Sequence, residues 1–177
     1  QHVRSVQRTV NDMDDVLEFR DALVQVADHA DAKPLHVTKG AIEFDHVTFR
    51  YKSAREALYE NFALTIPAGQ KVGLVGASGA GKSTFVKLIQ RLYDLDSGAI
   101  RIDGQNIAHV TQSSLRNAVG LVPQEPVLFH RSIAENIAYG RPEASDDEIR
   151  EAARLAHVDE FVRGLPKGYD TLVGERG

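Results

Sequence analysis

The chain has 177 residues, 42% hydrophobic and 26% charged, with 14 Gly and 6 Pro, which is roughly one globular domain with an appendage. That composition excludes collagen-like, low-complexity and wholly disordered classes. Twenty-one basic against 25 acidic residues give a net charge of −4, so no nucleic-acid partner is expected, and the absence of cysteine excludes disulfides, thiolate zinc sites and thiol nucleophiles. No run approaches the roughly 18 consecutive apolar residues of a membrane span, and the start at Gln1-His2-Val3-Arg4 has no signal-peptide character.

In chain order, residues 1 to about 28 read as one helix. Val3, Val6, Val10, Met13 and Leu17 recur in alternating steps of three and four, a narrow apolar seam. Either this helix packs on its own domain or it is the end of a longer helix entering from upstream. Asp28 to Gly40, with Lys33-Pro34 and Lys39-Gly40, reads as a linker. Ile42, Phe44, Val47 and Phe49 then approximate a strand alternation, and Phe62 to Ile66 follows after a polar turn. Lys71 to Val75 has the character of a short buried strand. A helix is expected from about Lys82 to Tyr93, with Phe85, Leu88, Ile89 and Leu92 on one face. Ala99 to Ile102 reads as a strand ending in the Asp103-Gly104 turn, and Ala118 to Val122 as another strand ended by Pro123. The remainder is helical. Ile133 to Tyr139 is short, and Ser145 with Glu148 forms a capping box that opens a helix to about Ala156.

Within this order stands Gly76-Ala77-Ser78-Gly79-Ala80-Gly81-Lys82-Ser83, a complete G-x-x-x-x-G-K-[ST] phosphate loop. Its glycines let successive backbone N–H groups turn inward toward phosphate oxygens. Lys82 adds a positive charge toward the β- and γ-phosphates, and the Ser83 hydroxyl is suited to Mg²⁺. The helix that follows presents its positive end to the same anions. A chance match should occur in roughly one chain of this size per hundred or fewer, and the flanking apolar run and helix lower that further. The loop alone does not choose among kinases, GTPases and motor ATPases.

The surroundings do. Tyr51 follows a strand pattern 25 residues before Gly76, Gln124 lies in Val122-Pro-Gln-Glu-Pro-Val-Leu-Phe129, 42 residues after Lys82, and Ser132-Ile-Ala-Glu-Asn-Ile137 and Val173-Gly-Glu-Arg-Gly177 come later. In this colinear series the chain closely resembles the nucleotide-binding domain of an exporter-type ATP-binding cassette (ABC) transporter. The resemblance covers about residues 40 to 177. It implies an α/β fold: a P-loop NTPase core with an antiparallel β-subdomain and the start of a helical subdomain, preceded by an N-terminal helix. Residues 1–39 resemble the cytoplasmic end of a last transmembrane helix with its linker, and residues 40–177 part of the cassette.

By the same resemblance, Tyr51 matches the aromatic residue that stacks on adenine, and Gly76 to Ser83 with Thr84 form the Walker A loop. Gln124 matches the glutamine that reaches the Mg²⁺ and the attacking water, a role suited to an uncharged amide. Lys82 and Gln124 are thus the residues expected to act on the reaction, with Ser83 and Gln124 toward the metal. Val173 to Gly177, with Glu175 and Arg176 as polar handles, matches the loop that contacts the transmembrane coupling helices. The implied ligands are ATP and Mg²⁺. A second nucleotide-binding domain and a transmembrane domain are the implied partners, at the cytoplasmic face of a membrane. The alternatives are a soluble or importer-type cassette subunit and a small-molecule kinase, for which no acceptor site or lid stands out.

Two features read plainly. Ile100-Arg-Ile-Asp103 superficially resembles a Walker B strand, but its place before Gln124 and the Gly that follows argue for an ordinary strand-to-turn transition. The seven histidines show no two-His ligand spacing and read as surface or packing residues. The chain also contains no Gly-Gly pair, and neither Asp147-Glu148 nor Asp159-Glu160 follows a four-residue apolar run. The resemblance therefore implies an incomplete cassette, ending before the signature motif, that binds ATP without measurable turnover alone.

Overall fold

The computed structural model describes residues 26–174. The seam of residues 1 to about 28 falls almost wholly outside the described residues, as do Glu175 and Arg176. The chain divides into two compact units, one through Gly120 and one from Leu121.

The first unit is built on a four-stranded antiparallel sheet in the order β2-β1-β3-β4: β1 Ile42–Phe49, β2 Tyr59–Ile66, β3 Ser97–Ile102 and β4 Gln105–Asn106. Strand β1 is central, pairing with β2 from Ile42 opposite Ile66 and with β3 from Ile42 opposite Ile102. Phe44 and Val47 are both buried although three residues apart, where strict alternation puts them on opposite faces. A bulge resets the phase: both ladders shift register between these positions, and His46 takes a left-handed φ of 49°. Gly98 makes this possible, because a Cβ there would lie 2.3 Å from the His46 carbonyl oxygen.

Helix α1 (Lys82–Ile89) covers this sheet with Phe85 and Leu88, and the Phe85 ring stacks on Phe44 at 4.5 Å. It stops four residues earlier than the apolar spacing predicts. Arg91 turns the chain with φ 49°, and Leu92 is 43% exposed. The Arg91 side chain explains the stop. It is 3% exposed, and its guanidinium donates to Asp94 Oδ1 at 3.1 Å and to the Ala27 carbonyl at 2.9 Å. A 3₁₀ turn (Ile107–His109) and α2 (Gln112–Ala118) add Ile107, Val110 and Leu115 to the core.

The segment expected as a linker lacks regular structure but is held throughout. Leu35 is buried in the core, and its N–H donates to Ser114 Oγ at 2.8 Å. Asp103 takes φ 48° and Gly104 φ 77° in a two-residue turn between β3 and β4. From there the Asp103 carboxylate accepts the backbone N–H groups of Thr38, Lys39, Gly40 and Ala41 at 2.7–3.0 Å. These four bonds, that from Lys39 foremost, hold its pKa below the ordinary carboxylate value. Asp103 is thus the strand-to-turn residue expected, and also the clamp on the segment before β1.

Two predicted strands do not form. Lys71 to Val75 and Ala118 to Val122 carry no ladder among the described residues; Ala118 instead closes α2. Val75 is 94% exposed and Val122 91%. The reason is physical: such short apolar runs are strands of buried parallel sheets, which need partners on their edges and layers on both faces. Neither run has a strand partner among the described residues.

The second unit packs α3 (Ile133–Ile137), α4 (Asp146–Leu155) and α5 (Asp159–Arg163) around Ile149, Ala153 and Val162, beside a short pair of β5 (Arg131–Ser132) with β6 (Leu172–Val173). The expected capping box is present: Ser145 Oγ accepts the Glu148 N–H, and the Glu148 carboxylate accepts the Ser145 N–H at 2.9 Å. A second box, Ser132 with Glu135, opens α3 and was not singled out in the sequence. In both, the backbone N–H of the serine is the main cause of a lowered glutamate pKa.

Candidate nucleotide site

The phosphate loop and Tyr51 lie in the first unit and border one cavity. Gly81 is the residue before α1, with φ 88° and ψ 0°, a conformation that glycine adopts without strain. Its carbonyl accepts the Tyr59 hydroxyl at 3.0 Å, and a Cβ at Gly81 would stand 3.0 Å from that hydroxyl. The loop is thereby seated on strand β2. No side chain caps α1, and its first turn holds no acidic residue. The first N–H groups of a helix have no partner within it, so this end is left to an anion.

Lys82 closes the loop from the other side. Its Nζ donates to the carbonyls of Gly76 at 2.8 Å and Ala77 at 2.7 Å, while Ala80 N–H turns back to the Ala77 carbonyl at 3.2 Å. An ammonium held over the loop by two neutral acceptors is placed to exchange them for phosphate oxygens, which make stronger, charge-assisted bonds. Ser83 is exposed on the same turn, whereas Thr84 is buried.

The Tyr51 hydroxyl shares a 2.8 Å hydrogen bond with Thr84 Oγ1. Edge-on contacts with Phe49 at 4.9 Å and Tyr93 at 5.2 Å fix its ring. The cavity that Tyr51 borders has a volume of about 680 Å³ and also touches Ser78, Gly79, Lys82 and Ser83. That is the size of a small-ligand site, with one aromatic wall and one wall of loop backbone. Residues separated by 27 to 33 positions in sequence are thus joined in one place.

A hard divalent cation takes oxygen ligands and keeps several from phosphate and water. The exposed Ser83 hydroxyl, beside the loop, fits that donor set. Gln124 lies in the second unit, exposed, in the loop before β5. That loop is anchored at its far end by Asn136, whose side chain accepts the Phe129 N–H at 2.9 Å and donates to the Ser132 carbonyl at 2.9 Å. Asn136 stands in the Ser132–Ile137 stretch noted in the sequence, but its role was not visible there. Nor was the meeting of His29 and His109, whose rings come within 4.8 Å across 80 residues of chain. Spacing along the sequence reveals only local histidine pairs; both of these residues are exposed.

Residues 59–173 match the ABC transporter family. The chain belongs to that family. It is 47% identical over 176 residues to rat ATP-binding cassette sub-family B member 6, covering 99% of this chain and 21% of that protein. It is 45% identical to the mitochondrial iron-sulfur clusters transporter atm1 of Aspergillus fumigatus, covering 98% of this chain and 24% of the relative. The solved structure of a bacterial Atm1-family ABC exporter with ATP bound is similar with a TM-score of 0.82 and 45% identity, over 98% of this chain and 30% of that one. The α/β P-loop NTPase reading of the fold holds. The chain spans less than a third of each of these proteins. Among the described residues, no helix is long and apolar enough to cross a membrane.

Proposed function

We propose that this chain holds ATP with Mg²⁺ as the nucleotide-binding part of an ABC exporter, at the cytoplasmic face of a membrane. The observation that carries the proposal is the single cavity bordered by Tyr51 and by the phosphate loop at Ser78 to Ser83. In this reading the adenine lies on the Tyr51 ring, and the phosphates lie along the loop toward the open end of α1. Lys82 Nζ leaves the Gly76 and Ala77 carbonyls for phosphate oxygens, and the Ser83 hydroxyl joins the cation's oxygen shell. The cation supplies charge neutralisation on the phosphates. By its match to the family's glutamine, Gln124 is read as the residue that serves the cation and the attacking water. The similarity to exporters over nearly the whole chain supports export over an importer-type or free-standing subunit. A second cassette and a transmembrane domain complete the machine.

Titration calorimetry with ATP and Mg²⁺ tests the site. Charge-assisted hydrogen bonds contribute about 1.5–3 kcal/mol each, so Lys82→Ala should weaken binding by about tenfold or more. Equal affinity in the variant would remove the loop from the nucleotide site.

A further inference from the structure

We infer that His29, Asp31 and His109 form a binding site for a divalent transition-metal ion, of the class of Zn²⁺, Co²⁺ or Ni²⁺, separate from the nucleotide cavity. One ligand atom from each of the three lies within 4.8 Å of the others, and all three side chains are exposed. A tetrahedral ion with bonds of about 2.0–2.2 Å holds its ligands about 3.4 Å apart, so rotation of exposed side chains closes the set. Two imidazoles and one carboxylate leave a fourth position for water. That donor set suits borderline ions of the zinc group, and the nitrogen ligands disfavour Mg²⁺ and Ca²⁺.

The frame beneath the three residues is already built. His29 to Ala32 is a turn closed by the Ala32 N–H on the His29 carbonyl at 3.0 Å, which returns Asp31 toward His29. His109 ends the 3₁₀ turn. Its carbonyl accepts the Lys33 N–H at 3.2 Å, and the Thr111 N–H donates to the Lys33 carbonyl at 3.0 Å, in a parallel bridge between Lys33 and Val110. On the other side of the turn, Asp28 Oδ1 accepts the Gln112 N–H at 2.9 Å, and the Val26 and Ala27 carbonyls are held by Gln112 and Arg91. Both histidines are thus placed by backbone bonds that do not involve their rings. Asp28 and the Arg91 guanidinium are committed to this frame, which leaves Asp31 as the carboxylate for the ion. Occupancy would staple the segment before β1 to the 3₁₀ turn of the same unit.

The test is titration of the full chain with Zn²⁺ alone, without nucleotide, with Co²⁺ as a paramagnetic probe of the histidine ring protons. One ion per chain is expected, with selective broadening of two imidazoles that are assigned by their loss in His29→Ala and His109→Ala. Either substitution should weaken Zn²⁺ by at least about tenfold, with a smaller loss for Asp31→Asn, and His130→Ala should change nothing. Saturating Zn²⁺ should raise the unfolding midpoint of the parent chain by roughly 5 °C at hundredfold excess over Kd, and not that of the two histidine variants. Both variants replace exposed side chains, so their metal-free midpoints should match the parent's. Equal Zn²⁺ affinity in both variants, broadening of other histidines, displacement by millimolar Mg²⁺, or no binding below millimolar Zn²⁺ would each overturn the assignment.

Discussion

Strand β1 and the run Lys71–Val75 are both short, strand-like in sequence and part of the first unit, yet they live in opposite surroundings. Strand β1 has a ladder on each edge and a helix on one face, and Phe44, Val47 and Phe49 are buried. The 71–75 run has neither, and Val75 is 94% exposed. An apolar run becomes a strand only where partners take its N–H and C=O groups and cover its side chains. The difference reaches the nucleotide site. Its aromatic wall, Tyr51 with Thr84, rests on the β1 core. Its loop wall follows the unpaired run and is held by Lys82, by the Tyr59 hydroxyl and by α1.

The sharpest way to break this comparison is to hollow the supported side. Phe44 is 1% exposed and stacks on Phe85. Phe44→Ala should cost about 3–5 kcal/mol, because the cavity lies between a sheet and a helix that cannot both collapse into it. Urea unfolding measures this. A loss under about 1 kcal/mol would mean that β1 is not the centre of the core.

Next comes the wall that faces the ligand. Tyr51→Ala should lose about 1–3 kcal/mol of ATP affinity, by analogy with base stacking on aromatic side chains. Tyr51→Phe keeps the ring, and ATP should bind it nearly as well. GTP should bind the parent chain nearly as well as ATP, since stacking reads a ring face. The hydrogen bond to Thr84 adds a second expectation, absent from the sequence. Tyr51→Phe leaves a buried Thr84 hydroxyl without its partner, at about 1 kcal/mol of stability. Unchanged stability, or strong preference for ATP over GTP, would detach Tyr51 from one of its two tasks.

These contrasts also mark what was legible in the sequence. The phosphate-loop pattern and the capping box at Ser145 are local and read directly, whereas Tyr51 stood out only through the resemblance. The antiparallel strands read from alternation, although the bulge at His46 could not. Runs 71–75 and 118–122 misled because apolar composition records burial in a sheet without saying which residues supply the partners. The anchoring of residues 26–41 was hidden for the opposite reason. Polar contacts from Arg91, Asp103 and Ser114 across more than 60 residues leave no periodicity to read.

Asp103 gives the anchoring a pH signature. Its folded pKa is lowered, so it contributes stability above the ordinary carboxylate value, and this is lost as pH falls through the folded pKa. Asp103→Asn tolerates the same left-handed backbone but offers one acceptor oxygen where the carboxylate uses both. The variant should be less stable than the parent at pH 7, and the gap should narrow below about pH 4, where the carboxyl of the unfolded parent takes up a proton that the folded one does not. A gap constant from pH 7 to pH 2.5, followed by circular dichroism, would mean that the four N–H bonds do not hold the segment.

The smallest effect belongs to the unpaired run and is the most discriminating. In this 177-residue chain Val75 makes almost no buried contact, so Val75→Ser removes little apolar area from a protein interior. Its cost should stay within about 0.5 kcal/mol, the range of surface substitutions. Position 75 immediately precedes the Gly76 carbonyl that Lys82 grips, so the ATP titration should also be repeated on this variant. Unchanged affinity means that Lys82, the Tyr59 hydroxyl and α1 hold the loop without help from the run. A stability loss above 1 kcal/mol would place Val75 inside a packed layer, and the contrast with β1 would disappear.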